Sequence, residues 1–131
     1  MVRGSRLELR VKIEVAERGR MGFAVCALPD GAEQTYIYYD CFANELCIDT
    51  RGSSLSSDVT TGIYRAPLGT WPERTVELGV FVDGSVVEAC VESRIWLTAR
   101  IYPVREDSVG VRAFAEESDG QFAALDAWCL A

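Results

Sequence analysis

The clearest pattern on the chain comes first: Leu7, Leu9, Val11, Ile13 and Val15 alternate with Glu8, Arg10, Lys12 and Glu14. Apolar residues at every second position line one face of a pleated strand, so the segment predicts a strand with one buried face and one wet face. Comparable runs follow at Met21–Leu28, Thr35–Asp40, Leu46–Asp49, Thr75–Val82, Val86–Val91, Ile95–Tyr102, Ser108–Glu116 and Gln121–Leu130, and none reads at helical period. Turn chemistry punctuates them at Pro29–Gly31, Asp83-Gly84 and Ser118–Gly120. About nine strands at such spacing predict an all-β fold, an antiparallel β-sandwich of jelly-roll or lectin-like type. The stretch Thr50–Glu73, rich in Ser, Thr, Gly and Pro, predicts a crossover loop.

The register of the middle segment can be worked out. A two-residue turn at Asp83-Gly84 pairs Val82 with Ser85 and sets Val80, Leu78 and Val76 opposite Val87, Ala89 and Val91. A three-residue turn at Glu92 to Arg94 then sets Ile95, Leu97 and Ala99 opposite Val91, Ala89 and Val87. One face of three strands becomes wholly apolar. The other carries Glu77, Phe81, Val86, Glu88, Cys90, Trp96, Thr98 and Arg100, with Thr98 across from Glu88 and Arg100 diagonal to it. This mixture is too apolar for a freely solvated face, because monomeric domains seldom expose a large contiguous apolar patch. Phe81, Glu88, Trp96, Thr98 and Arg100 are therefore the candidate ligand or docking face. A second sheet, a protein partner or a sugar could cover it. Burying an unpaired Glu88 or Arg100 beneath a sheet is costly, which favours a protein partner, a second copy of the chain included.

Composition narrows the picture. A chain of 131 residues with 49% hydrophobic content can bury one core, so residues 1–131 are read as one domain. The net charge is −7 and the twelve arginines are scattered, which argues against nucleic acid as partner. No apolar run is long enough to span a membrane, and the start has no signal-peptide core. "MVRGS" leads almost directly into a strand, as expected of a module of a longer protein. There is no histidine, and the five cysteines show no C-x-x-C spacing, so neither a metal nor a cofactor is expected. The odd cysteine count favours free thiols and a reducing, cytoplasmic setting, although Cys41 and Cys47 could face each other across a hairpin.

Without histidine, catalysis would need carboxylate pairs, a cysteine with an acid or base, or serine with lysine. The only lysine, Lys12, alternates outward on its strand, and Asp40, Asp49, Asp83 and Glu88 fall at strand ends or on the polar face, where turn formation explains them. Tyr36 and Tyr38 share one face of the third strand, an arrangement that suits cross-strand packing and also a lectin-like platform. Trp71, Trp96 and Trp128 raise the same pair of readings. The run Arg51–Asp58 reads as a serine-rich loop with some capacity to hold an anion.

Three segments in order, "IYYDCFANELCIDTRGSSLSS", "FVDGSVVEACVESRIWLTARIYP" and "VGVRAFAEESDGQFAALDAWCLA", together with "GSRLELRVKIEV" at the start, resemble the C-terminal β-sandwich module of glycoside hydrolase family 32, the family of invertases, levanases and inulinases. In that family the hydrolytic carboxylates sit on an N-terminal five-bladed propeller, in motifs of the type Trp-x-Asn-Asp-Pro, Arg-Asp-Pro and Glu-Cys, none of which occurs here. The resemblance thus implies no catalytic residue on this chain and no enzyme activity of its own. It implies an accessory module that stabilises or docks onto the propeller of a fructan- or sucrose-cleaving enzyme and sometimes assists self-association. The alternative is an autonomous module that contacts fructan or sucrose. Two local departures, Ala89-Cys90 in place of a Val-Phe pair and "VESRIW" in place of an Asn-Asp-Gly turn, fall at the hairpin tip.

Overall fold

The structure is a computed structural model that describes residues 6–14, 18–69, 75–92 and 94–116, and the backbone of 121–129. In chain order the strands are β1 (Arg6–Glu14), β2 (Arg20–Ala27), β3 (Thr35–Asp40), β4 (Glu45–Asp49), β5 (Ile63–Pro67), β6 (Thr75–Asp83), β7 (Val86–Val91), β8 (Ile95–Arg100), β9 (Gly110–Glu116) and β10 (Gln121–Cys129). They form two five-stranded sheets, ordered β10-β1-β6-β7-β8 and β5-β4-β3-β2-β9, and their pairings are antiparallel. The expected antiparallel sandwich is the observed architecture.

The alternation of β1 translates directly into burial: Leu7, Leu9, Val11 and Ile13 are all 2% exposed or less. Val76, Leu78, Val80 and Val82 of β6 and Val87, Ala89 and Val91 of β7 continue the same layer. Phe23, Ile37, Tyr39, Leu46 and Ile48 meet them from the second sheet. Each large aliphatic side chain removed from water this way stabilises the fold by about 1.5–3 kcal/mol before conformational entropy is counted.

Two sequence readings need correction. The stretch Thr50–Glu73 contains a strand, β5, where a loop was expected. Leu46 pairs with Ala66 and Ile48 with Tyr64, which adds an edge to the second sheet. Its brevity and its proline hid it, yet an edge strand tolerates proline because one side of its backbone has no ladder partner. The β6–β7 pairing is also shifted. Val82 faces Val87, Val80 faces Ala89 and Leu78 faces Val91, and Asp83 pairs with Val86 around a Gly84-Ser85 turn. Gly84 has φ +60° whereas Ser85 is not in the left-handed region. A positive φ at the first turn position alone is the type II′ signature, with glycine there, and not the type I′ turn expected of Asp-Gly. A slip of two residues leaves every side chain on its own face, so the apolar pattern that fixed the faces could not fix the pairing. The β7–β8 register agrees with expectation, Val91 facing Ile95, Ala89 facing Leu97 and Val87 facing Ala99.

Cys26, Cys41, Cys47 and Cys90 are buried thiols without a disulfide, Cys41 and Cys47 included. Val15, Trp71, Ser93, the Ser118–Gly120 turn and the side chains of Trp128 and Cys129 lie outside the described residues.

Candidate functional site

The five residues singled out from sequence share the outward face of β6, β7 and β8, turned away from the second sheet. A covering second sheet is therefore ruled out for this face. Phe81 pairs with Glu88 and Glu88 with Thr98, while Cys90 lies between Gly79 and Trp96. The Phe81 and Trp96 rings reach across the middle strand and stack at 6.2 Å between centroids, with their planes 23° apart. Gly79 makes room for this: a Cβ there would stand 2.9 Å from the Cys90 sulfur and 3.7 Å from the Phe81 ring. Trp96 remains 48% exposed. As the sequence register expects, Thr98 lies across from Glu88 and Arg100 diagonal to it. The Thr98 hydroxyl donates to Glu88 Oε2 at 3.3 Å, and the Arg100 guanidinium donates to the Ser85 hydroxyl at 3.2 Å. The face is thus a stacked aromatic pair beside weakly tied polar groups, which suits contact with another surface better than bond-making chemistry.

A second constellation lies on the outward face of the other sheet. Gly22 of β2 pairs with Tyr38 of β3 on one side and Phe114 of β9 on the other, and Ala24 stands likewise between Tyr36 and Arg112. With almost no side chain on β2, a trough opens between β9 and β3. Phe114 leans across it, edge-on to Tyr36 at 5.2 Å and to Tyr38 at 6.2 Å. Gly22 is obligatory in this position, since a Cβ would collide with the Ile37 carbonyl and stand 2.6 Å from the Tyr38 Cα.

The rim of the trough is charged. Asp49, at the end of β4, accepts the backbone N–H of Arg51 at 3.0 Å, a local turn that brings the Arg51 guanidinium back onto the same carboxylate in a two-point contact of 3.0 and 2.9 Å. Burial pushes the Asp49 carboxyl up, but the side-chain and backbone donors of Arg51 outweigh it and hold the group below the ordinary aspartate range. Opposite, Arg20 places its guanidinium 5.5 Å from the centre of the Tyr38 ring. Tyr38 is itself buried, which together with the nearby Cys47 thiol pushes its hydroxyl up to about 12, so it stays protonated. Glu116 completes the rim of a pocket of about 210 Å³. Sequence reading noticed the two tyrosines and Arg51 separately. It missed Arg20, Asp49 as their neighbour, Phe114 and Glu116, because only the sheet order β4-β3-β2-β9 brings them together.

The family model for the C-terminal region of glycosyl hydrolases family 32 matches residues 2–129. Comparison with curated protein sequences finds no significant match. Among solved structures, the exo-inulinase of Aspergillus awamori superposes with a TM-score of 0.86 and 24% identity, covering 100% of this chain and 26% of the inulinase. Fructan 1-exohydrolase IIa of Cichorium intybus gives a TM-score of 0.80 at 19% identity, covering 96% of this chain and 31% of that one. The carbohydrate binding module CBM66 from Bacillus subtilis gives 0.69 at 10% identity, covering 96% of this chain and 76% of the module. These likenesses establish the fold, and the chain spans less than a third of either enzyme. By its family match, the chain belongs to glycosyl hydrolases family 32, as the C-terminal domain.

Proposed function

We propose that this chain is a non-catalytic accessory module that docks onto the catalytic propeller of a fructan- or sucrose-cleaving glycosidase, through the outward face of β6, β7 and β8. One observation carries the reading: the stacked Phe81–Trp96 pair, with Trp96 about half exposed, sits on a sheet face turned away from the core that none of the described strands covers. Aromatic anchors ringed by polar groups are the usual centre of a protein interface. The family membership supports a catalytic partner, and the share of the enzymes that the chain spans leaves room for one.

The test measures association of the chain with a family 32 propeller produced separately, and of the chain with itself, by sedimentation. Trp96→Ala should weaken association by about 2 kcal/mol or more, and Arg100→Ala by less, while both variants keep the parent's urea midpoint. Loss of monomer stability in both variants would place this face in the core and sink the docking reading.

A second reading, a module that holds a unit of fructan or sucrose, is favoured by the aromatic trough on the opposite sheet. The likeness to a carbohydrate binding module of the same sandwich fold is compatible with it.

A further inference from the structure

We infer that the trough between β9 and β3 is a binding site for one neutral sugar ring, held between the Asp49–Arg51 pair and the Tyr36–Tyr38–Phe114 aromatic wall. The inference rests on the second, sugar-binding reading and gives it a location, and it is independent of docking by the Trp96 face.

Size is the first argument. A pocket of about 210 Å³ holds about seven waters at about 30 Å³ each, the bulk of a single hexose. It falls below the roughly 300–1,000 Å³ of sites that enclose larger ligands. The site is therefore matched to one ring, free or at the end of a chain.

Charge is the second argument. Arg51 is paired with Asp49 and Arg20 lies 3.9 Å from Asp40, with Glu116 on the same rim, so the pocket has no surplus of positive charge with which to select an anion. Arg51 is already engaged at two points by Asp49, which leaves guanidinium donors and carboxylate acceptors side by side at hydrogen-bond spacing. Adjacent ring hydroxyls present a donor and an acceptor at the same spacing. A fixed donor–acceptor pair thus recognises a vicinal diol without either partner having to give up its charge.

The wall supplies the remaining chemistry. A sugar ring has one apolar C–H face, and the part-exposed Tyr36 and Phe114 rings supply the small apolar portion of the lining, with the buried Tyr38 beneath them. Tyr38 stays protonated and is fixed by burial, so little side-chain entropy is lost on binding. The ligand class that combines a small ring, no charge, neighbouring hydroxyls and an apolar face is a neutral monosaccharide unit.

Calorimetric titration of the chain with D-fructose, sucrose, D-glucose and levan tests the assignment, and the levan arm separates a chain end from a free sugar. Saturable binding of at least one of these is expected. Asp49→Asn and Arg51→Ala should each weaken it by about tenfold or more, the scale of a lost charge-assisted hydrogen bond, while Trp96→Ala leaves it unchanged. Thermal unfolding of the variants verifies that they fold, and Arg51→Lys, which keeps the charge but not the two-point geometry, should restore only part of the affinity. If none of the four sugars binds saturably, the site and the sugar-binding reading both fall, and the docking reading stands. If binding survives Asp49→Asn and Arg51→Ala but falls with Trp96→Ala, the sugar sits on the other sheet and this site is wrong.

Discussion

Glu33 and Ser108, separated by 75 positions in the chain, meet inside the molecule, where the serine hydroxyl donates to Glu33 Oε1 at 2.6 Å. The carboxylate is completely buried. It also accepts the backbone N–H groups of Leu55 and Val104 at 2.7 Å each and of Arg105 at 3.0 Å. One charge thereby ties the loop after β4, which carries Arg51, to the loop after β8. Burial pushes the Glu33 carboxyl up, but the four donors together outweigh it and bring it below the ordinary glutamate range.

The sign of the pH effect follows. A carboxyl whose folded value is depressed contributes stability that is present above the unfolded value of about 4.3 and is lost as pH falls through the folded value. The urea midpoint should therefore fall on acidification from about pH 5 toward pH 3, more steeply in the parent than in Glu33→Gln. At neutral pH that substitution should destabilise the chain by about 3 kcal/mol, because an amide offers one acceptor oxygen where two are used and turns a donor toward donors. Equal acid sensitivity in the parent and the variant would show that Glu33 is not the responsible group.

Gly84 supports the β6–β7 turn by conformation alone. Its φ is +60°, and a Cβ built on it meets nothing within 4 Å. Space is free, so any penalty comes from the backbone. Gly84→Val should destabilise by about 1–2 kcal/mol in urea denaturation, whereas Gly84→Asn, which tolerates the left-handed region, should lose less than half of that. Equal losses for Val and Asn would point to side-chain contacts instead.

These two residues mark what could be read from sequence and what could not. The faces of β1, β6 and β7 were legible because alternation at period two is enforced by burial of one side. The pairing of β6 with β7 was not, since a two-residue slip satisfies the same pattern and only the choice of turn residues decides. β5 was hidden because five residues at an edge, ending in Pro67, need little apolar character when only one side is covered. Phe81, Glu88, Trp96, Thr98 and Arg100 were placed on their shared face by local register. The trough was illegible because Asp49, Tyr38, Gly22 and Phe114 come from four different strands, and a small residue at Gly22 signals close approach without saying what approaches.

Burial should also silence the thiols. Burial pushes Cys26 up to about 11, and burial, aided by the Glu45 carboxylate, does the same for Cys47. The thiolate is the reactive species, so at pH 8 both should be almost entirely protonated. Alkylation of the native chain followed by peptide mass mapping should leave Cys26 and Cys47 unlabelled, whereas labelling in concentrated guanidinium should reach all five cysteines. Labelling of either residue at the same rate in both conditions would contradict its burial.

The chain alone should release no fructose from sucrose, inulin or levan. Hydrolysis by a retaining glycosidase needs one carboxyl held as an acid near neutral pH, with a second carboxylate placed about 5–5.5 Å away as nucleophile. Glu33 and Asp49 are both displaced downward, toward the ionised form. Glu33 is also sealed by its four donors, and Asp49 is held ionised by its two-point pairing with Arg51, so neither can serve as the proton donor to a glycosidic oxygen. A sugar held in the trough would be bound beside a carboxylate that cannot give up a proton. Incubation of the purified chain with each substrate, read by reducing-sugar release, should match the buffer blank from about pH 4 to 8. Release above the blank that disappears in Asp49→Asn would overturn this and make the trough an active site.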